Sequence, residues 1–199
     1  MDGVKVFFLD IETVPTPEAL GKNGLLGPQI QLNEKEIIKR LSLSATTGRI
    51  LCLGYVIEPP QSAAVELLHG EEKEILRRFW ILAADIGLFV GHNVLDFDLR
   101  FIYQRSIIHR IKPSREIPFT RFRSAPVFDT MHEWTKWGRD MVGLDALAKA
   151  LALPSPKSEL DGAKVYDYHK AGRDAEIYDY CKGDVETARR VYRRMTFSD

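Results

Sequence analysis

The sequence has few cysteines and no long apolar run, and these absences narrow the settings in which the protein could work. No stretch approaches the roughly 20 consecutive apolar residues that a membrane-spanning helix needs. The opening residues 1–8, MDGVKVFF, lack a cleavable signal pattern, because a core strand begins at once. Cys52 and Cys181 lack metal-site spacing, and we interpret them as small buried hydrophobic side chains. We therefore expect a cytoplasmic protein that makes no membrane contact.

An excess of one charge is also missing from the sequence. Lysine and arginine together number 28, as do aspartate and glutamate, so the formal net charge is zero. This balance argues against a protein held to nucleic acid by its overall charge, and any such contact must be local. The 199 residues, 45% of them apolar, fit one domain spanning residues 1–199. A chain of this length buries roughly 70% of its unfolded surface, which is enough for a core without disulfides.

What the sequence does have is an apolar stretch at residues 4–13, VKVFFLDIET, that ends in two carboxylates. Side chains alternate along an extended strand, so Asp10 and Glu12 project from the same face. Both faces of the stretch are otherwise apolar, which predicts a strand in the middle of a sheet. A buried carboxylate is costly there unless a positive charge balances it. The pair therefore indicates a bound metal ion, but Asp-x-Glu also arises by chance, so partners are needed elsewhere in the chain.

The remaining patterns predict an α/β domain with a mixed sheet. Further strands are predicted at residues 49–58, 63–69, 86–91 and 127–130, and helices at residues 71–84, 97–108, 144–151 and 172–195. Short connections make the first three strands an antiparallel meander, and the strand–helix alternation that follows makes the later strands parallel.

Residues 13–48 form an excursion from this sheet. Within it, Asn33 and Glu36 predict a capping box at the start of a short helix that ends near Leu41. Because the excursion leaves the sheet just after Glu12, we expect it to lie beside the carboxylate pair and to be more mobile than the core.

Two further acids follow in suggestive places. Asp98 lies at the start of a helix that follows a strand, in GHNVLDFD, and Asp184 lies in the last helix, in YCKGD. Tyr180 and Asp184 are four residues apart, so they share one helix face, which borders the apolar stripe of that helix. Asp184 is therefore expected to face the sheet rather than water.

The order D-I-E-T, then H-N-x-x-x-F-D, then Y-x-x-x-D carries a specific resemblance. It resembles the three motifs of the DEDD 3′-to-5′ exonucleases, in the subclass with tyrosine in the third motif. The whole chain looks like a stand-alone relative of the family B DNA polymerase proofreading domain, in the predicted exonuclease family related to it. The resemblance spans residues 10–184 and implies an RNase H-like fold, a mixed central β-sheet flanked by helices.

The resemblance also implies roles for individual residues. Two divalent ions would be held by the four acids, Asp10, Glu12, Asp98 and Asp184. One ion would be bound by Asp10, Glu12 and Asp184, while Asp10 bridges to the second, which Asp98 reaches largely through water. Tyr180 would position the attacking water. Oxygen-only ligands favour Mg²⁺ or Mn²⁺, and two such ions about 4 Å apart both activate a water and stabilise a leaving oxygen.

Residues that would contact the substrate are less clearly marked. Candidates are Thr13, Asn93 and Lys157, although an asparagine after a strand is equally typical of a plain turn. Basic side chains that could reach phosphates, or could simply be solvated, are Arg121, Arg123, Lys157, Lys164 and Arg173. His92 and His169 resemble general bases, but Tyr180 stands where histidine-type members carry their histidine.

The function expected from these features is metal-dependent 3′-to-5′ hydrolysis of single-stranded nucleic acid, DNA in preference to RNA, with release of nucleoside 5′-monophosphates. An exoribonuclease or oligonucleotidase would use the same site. A binding module without catalysis would keep the fold and lose the metals, yet all four acids and Tyr180 are present, which argues against it. The sequence identifies no protein partner.

Overall fold

The chain folds around a five-stranded mixed sheet, and the computed structural model describes residues 3–21, 33–60, 63–154 and 160–198. The strands are β1 (Val6–Pro15), β2 (Gly48–Glu58), β3 (Glu66–His69), β4 (Leu88–Gly91) and β5 (Val127–Asp129). The helices are α1 (Pro17–Gly21), α2 (Glu34–Leu43), α3 (Glu72–Ala83), α4 (Asp98–Ile108), α5 (Thr130–Thr135), α6 (Leu144–Ala150), α7 (Val165–Lys170) and α8 (Asp174–Met195).

The strand order β3–β2–β1–β4–β5 places the first strand in the centre of the sheet. β1 pairs antiparallel with β2, which pairs antiparallel with β3, so the predicted meander is confirmed. β4 pairs parallel with β1 and β5 pairs parallel with β4, as the strand–helix alternation predicts. The mixed sheet flanked by helices is the RNase H-like architecture that the family resemblance implies.

The two faces of β1 enter different layers of the molecule. Phe7, Leu9 and Ile11 belong to the large apolar core formed with α3 and α4, where Phe7 stacks on Phe79 at 5.8 Å between ring centroids. Phe8 points the other way and packs with Val185 of α8. Because side chains alternate along a strand, Asp10 and Glu12 share the Phe8 face and are directed toward α8.

A glycine lets α8 approach the sheet closely. Gly54 of β2 lies opposite Asp10 in the strand register. A Cβ atom at this position would lie 3.0 Å from both Cys181 Sγ and Val185 Cγ2. The missing side chain therefore brings α8 down onto the sheet beside Asp10. Cys52 and Cys181 are buried free thiols, as predicted from the sequence.

The excursion after β1 is partly described by the structure. β1 continues to Pro15 and α1 follows, while α2 begins with the predicted capping box. Glu36 N donates to Asn33 Oδ1 at 2.9 Å, and Asn33 N donates to Glu36 Oε2 at 3.1 Å. None of the helices in the described part of the chain combines the length and apolar character that crossing a bilayer requires.

Candidate active site

Three carboxylates meet where the end of β1 faces α8. One oxygen from each of Asp10, Glu12 and Asp184 lies within 4.8 Å of the other two. β1 presents the first two on one face, and α8 presents the third one helical turn after Tyr180. A break in the β1–β2 register falls between Glu12 and Thr13, next to the cluster. Such a bulge bends the strand and redirects the side chains that follow.

Burial and mutual repulsion raise the pKa values of the clustered carboxylates. Burial, then repulsion from Asp98 and Glu12, raises the pKa of Asp10 well above its ordinary value. Burial is also the largest cause that raises the pKa of Glu12. Burial raises the pKa of Asp184 to about 6, although a hydrogen bond from Tyr180 opposes the shift. Each of these groups therefore binds its proton more tightly than an ordinary carboxylate does.

Asp98 lies beside this cluster and is anchored differently. It begins α4, is 3% exposed, and its Oδ1 accepts a hydrogen bond of 2.9 Å from the backbone N–H of Ile11. Burial raises the pKa of Asp98 to about 8, against the effect of that hydrogen bond. Asp98 thus ties the start of α4 to the peptide between Asp10 and Glu12, while standing outside the group of three.

The donor set fits a hard divalent cation. Asp10 Oδ2 is buried and has no hydrogen-bond partner among the described residues. Within the same part of the chain, no lysine or arginine forms an ion pair with any of the four acids. A buried carboxylate left in this state is costly, and oxygen-only ligands suit Mg²⁺ or Mn²⁺. Asp10, Glu12 and Asp184 are therefore the residues that could hold such an ion, with Asp98 next to them.

A cleft of about 300 Å³ opens beside the cluster. Glu12 and Thr13 form one side of it, and α2 forms another. The side chains of α2 that line it are Ile38, Lys39, Ser42 and Leu43, and the remaining wall is formed by Phe97 and Tyr166 with neighbouring residues. The excursion after Glu12 therefore borders the carboxylate site, as expected from its point of departure.

The predicted substrate contacts have different outcomes. Thr13 is buried at the cleft wall. Asn93 adopts a left-handed backbone with φ of 61°, and its carbonyl accepts a hydrogen bond from Phe97 N at 3.0 Å, so it is a turn residue. A substrate contact by its side chain remains a prediction. Lys157 lies outside the described residues.

Two histidines that resemble general bases are engaged elsewhere. His92 contacts Thr130 Oγ1 at 3.0 Å and the carbonyl of Val142 at 2.8 Å, and burial lowers its pKa. His169 lies between Arg49, at 3.1 Å, and Asp174, at 2.7 Å. Both rings connect structural elements to one another.

A comparison with family models matches residues 56–199 to a family described as a predicted 3′-5′ exonuclease related to the exonuclease domain of PolB. The chain belongs to this family. The matched residues include Asp98, Tyr180 and Asp184, whereas Asp10 and Glu12 precede them. A search of curated proteins gave no match.

The fold of this exonuclease family member is similar to part of a solved polymerase. The family B DNA polymerase from the hyperthermophilic archaeon Pyrobaculum calidifontis matches 98% of this chain with a TM-score of 0.69 and 16% identity. The chain spans 25% of the length of that polymerase. This likeness supports the RNase H-like fold.

One residue that shapes the site in this family member was missed by sequence reasoning. Asp129 is 1% exposed, and its carboxylate accepts hydrogen bonds from four backbone N–H groups. The donors are Asn93, Leu95, Met131 and His132. It therefore caps α5 and also holds the turn that leads to Asp98. An aspartate at a strand end, just before a helix, is a recognisable cap signal in VFDT.

Proposed function

We propose that the protein is a metal-dependent 3′-to-5′ exonuclease that degrades single-stranded nucleic acid, DNA in preference to RNA, and releases nucleoside 5′-monophosphates. The observation that carries this proposal is the buried group of three carboxylates with an unpartnered oxygen on Asp10. Membership in a family of predicted 3′-5′ exonucleases supports the reaction class.

The four acids would hold the metal ions. Asp10, Glu12 and Asp184, with Asp98 beside them, are the residues that would hold two divalent ions. When bound, two divalent ions supply an activated water and stabilise the leaving 3′ oxygen. The hydrogen bond from Ile11 to Asp98 fixes the distance between the second motif and the first, so the acids are positioned before a substrate arrives.

Tyr180 would orient the attacking water. Burial and then the neighbouring Asp184 raise the pKa of Tyr180, so its hydroxyl stays protonated near neutral pH. A neutral hydroxyl both donates and accepts, which suits it to hold a water in one orientation without removing its proton. His92 and His169 are engaged in internal hydrogen bonds and have no such role in this proposal.

A comparison of three variants tests that assignment. Tyr180→Phe removes one hydrogen bond and keeps the ring packing, so single-turnover cleavage at saturating Mg²⁺ should slow by about 10- to 10⁴-fold. His92→Ala and His169→Ala should slow it less. If His169→Ala is the most damaged variant and Tyr180→Phe cleaves like the wild type, the tyrosine assignment is wrong.

The activity itself is tested with labelled substrates. The wild-type protein is incubated with 5′-labelled single-stranded DNA, duplex DNA and single-stranded RNA, each in Mg²⁺, Mn²⁺ and EDTA. The proposal expects a ladder of products shortened from the 3′ end, most rapidly on single-stranded DNA, and none in EDTA. Faster cleavage of RNA would make the protein an exoribonuclease, and tight binding without products in either metal would make it a binding module.

A further inference from the structure

A ladder of aromatic rings leads from the core to the surface beside the second motif. The buried ring of His132 stacks on Trp137 at 4.7 Å between centroids and 4° between planes. Trp137 in turn contacts Phe122 at 5.2 Å. Phe122 ends the ladder and is 74% exposed. The apolar ring of Phe122 is thus exposed to solvent and supported from below by Trp137 and His132.

The backbone is strained at both Phe122 and Trp137. Phe122 and Trp137 both have φ of 64°, in the left-handed region that bulky side chains rarely adopt. The turn after α5 is fixed by a hydrogen bond of 2.9 Å from Trp137 N to the carbonyl of His132. Strain of this kind persists where the surrounding structure imposes it, and it is frequent at binding sites. Burial of Phe122 does not account for it, because most of that ring is exposed.

The surface around the ladder is locally basic. Arg121 and Arg123 flank Phe122 in the chain, and both are exposed. Arg121 contacts Asp96 at 2.7 Å, and Arg100 contacts the same carboxylate at 3.5 Å. Two guanidinium groups therefore share one carboxylate, which leaves an excess of positive charge. This local excess exists in a chain whose formal net charge is zero.

The ladder is connected to the candidate active site. Asp96, which contacts both Arg121 and His132, lies two residues before Asp98. The residue between them, Phe97, lines the cleft that contains Glu12. A strand whose 3′ end occupies the cleft could therefore continue past the second motif onto the exposed ring of Phe122.

We propose that Phe122 and Trp137, with Arg121 and Arg123, form a stacking platform for the substrate strand upstream of the nucleotide being removed. The ligand class, single-stranded nucleic acid, rests on the proposed function. The exposed ring of Phe122, supported by the half-buried Trp137 and flanked by guanidinium groups, matches bases alternating with phosphates, and base–aromatic stacking tolerates any sequence. The platform gives the enzyme a preference for strands long enough to reach beyond the cleft.

Binding and cleavage of two strand lengths test the platform. Fluorescein-labelled oligothymidylates of 3 and 12 nucleotides are used with the full chain, with binding measured by anisotropy in EDTA and KM and kcat measured in Mg²⁺. Phe122→Ala should weaken binding of the 12-mer by about 5- to 100-fold. It should raise KM for the 12-mer to a similar extent, with kcat unchanged and cleavage of the 3-mer unaffected.

Three further variants complete the test, two of them as controls. Phe122→Trp keeps a stacking face and should restore binding of the 12-mer. Phe197→Ala removes another exposed phenylalanine with a left-handed backbone, 92% exposed with φ of 56°, and should bind like the wild type. Arg123→Ala should weaken binding at every sequence and reduce the slope of log affinity against log salt by about 0.7.

The outcomes separate this proposal from the proposed function. If Phe122→Ala binds the 12-mer as tightly as the wild type, the platform is wrong, and the surface serves something other than nucleic acid. Equal damage to the 3-mer and the 12-mer also overturns it. If Phe122→Ala weakens binding but the wild type cleaves nothing in either metal, the platform holds and the exonuclease proposal fails.

Discussion

Two of the regions that bury carboxylates in this molecule balance the charge in opposite ways. Glu72 is 8% exposed and accepts hydrogen bonds from Arg105 at 2.9 and 2.6 Å and from the N–H of Ile50 at 2.8 Å. The candidate active site has three clustered acids with no basic partner in the described residues, and the buried oxygen of Asp10 accepts nothing.

The pKa values of the two regions move in opposite directions as a result. Burial alone would raise the pKa of Glu72, but hydrogen bonds from Arg105, Ile50 and His109 bring it below its ordinary value. At the active site burial prevails, and the pKa values of Asp10 and Glu12 rise. The charge of the first region is balanced within the protein, whereas the second has no basic partner among the described residues and so suits a cation from outside. This difference distinguishes a structural ion pair from a candidate binding site.

The largest expected effect comes from removing one active-site acid. Asp184→Asn should lower cleavage by about 10³-fold or more, because the proposed metal site would lose one of its ligands. In EDTA its melting temperature should be unchanged or higher, since one repelling carboxylate is gone. Asp179→Asn, on an exposed carboxylate of the same helix that pairs with Lys182, is the matched control and should retain activity. Full Mg²⁺-dependent cleavage by Asp184→Asn would contradict the metal assignment.

Removing the buried acid of the other region, Glu72, should lower stability and leave activity nearly unchanged. Glu72→Ala leaves Arg105 buried without its partner, which should lower the free energy of unfolding by about 3–5 kcal/mol. Urea denaturation in EDTA measures the loss. Cleavage per folded molecule at low temperature should stay close to the wild-type rate, because Glu72 belongs to the structural region. A stability loss under about 1 kcal/mol would show that this network contributes little to the stability of the fold.

A smaller effect is expected where the two regions share the sheet. Gly54→Ala inserts a methyl group against Cys181 and Val185, which should cost about 1–3 kcal/mol of stability and lift α8 from β2. Because Asp184 belongs to α8, a displaced helix moves its carboxylate away from Asp10. Mg²⁺ should therefore bind more weakly, as measured by calorimetry. Gly70→Ala is a control in open space, although its φ of 100° adds local strain. If Gly54→Ala binds Mg²⁺ as tightly as the wild type, metal binding does not depend on how closely α8 packs against β2.

A further expected effect is a slope in the dependence of stability on pH. With pKa values of about 6 for Asp184 and about 8 for Asp98, the folded metal-free protein keeps protons that the unfolded chain loses above about pH 4. Stability contributed by these groups is therefore fully present below about pH 4 and is lost as pH rises toward 8. Glu72, with its lowered pKa, contributes in the opposite sense and loses stability only as pH falls below about 4.5.

Melting curves between pH 5 and 8.5, in EDTA and in saturating Mg²⁺, measure that slope. The melting temperature in EDTA should fall with rising pH, and Mg²⁺ should remove most of the fall, because the ion balances the ionised acids. A melting temperature in EDTA that rises across this range would mean that the acids are already ionised in the folded protein without a bound cation.

Local patterns in the sequence determined much of the site. Alternation along residues 4–13 predicts Asp10 and Glu12 on one face of a central strand, and the structure has them there. The spacing of Tyr180 and Asp184 predicts a shared helix face, and Asn33 predicts the start of α2. Each of these depends on geometry within a few residues, which is why the order of amino acids suffices.

Only the tertiary structure decided how these pieces meet. The short helices α1, α5 and α7 were not predicted, because five or six residues show too little periodicity. The closeness of Asp184 to Asp10 depends on Gly54, which belongs to another strand, and Asp98 is fixed by the backbone of Ile11, 87 residues away. The sequence determined which residues could form the site, because local geometry and side-chain chemistry follow directly from the order of amino acids. Their distances and pKa values were set by packing and burial, which depend on contacts between segments far apart in the chain.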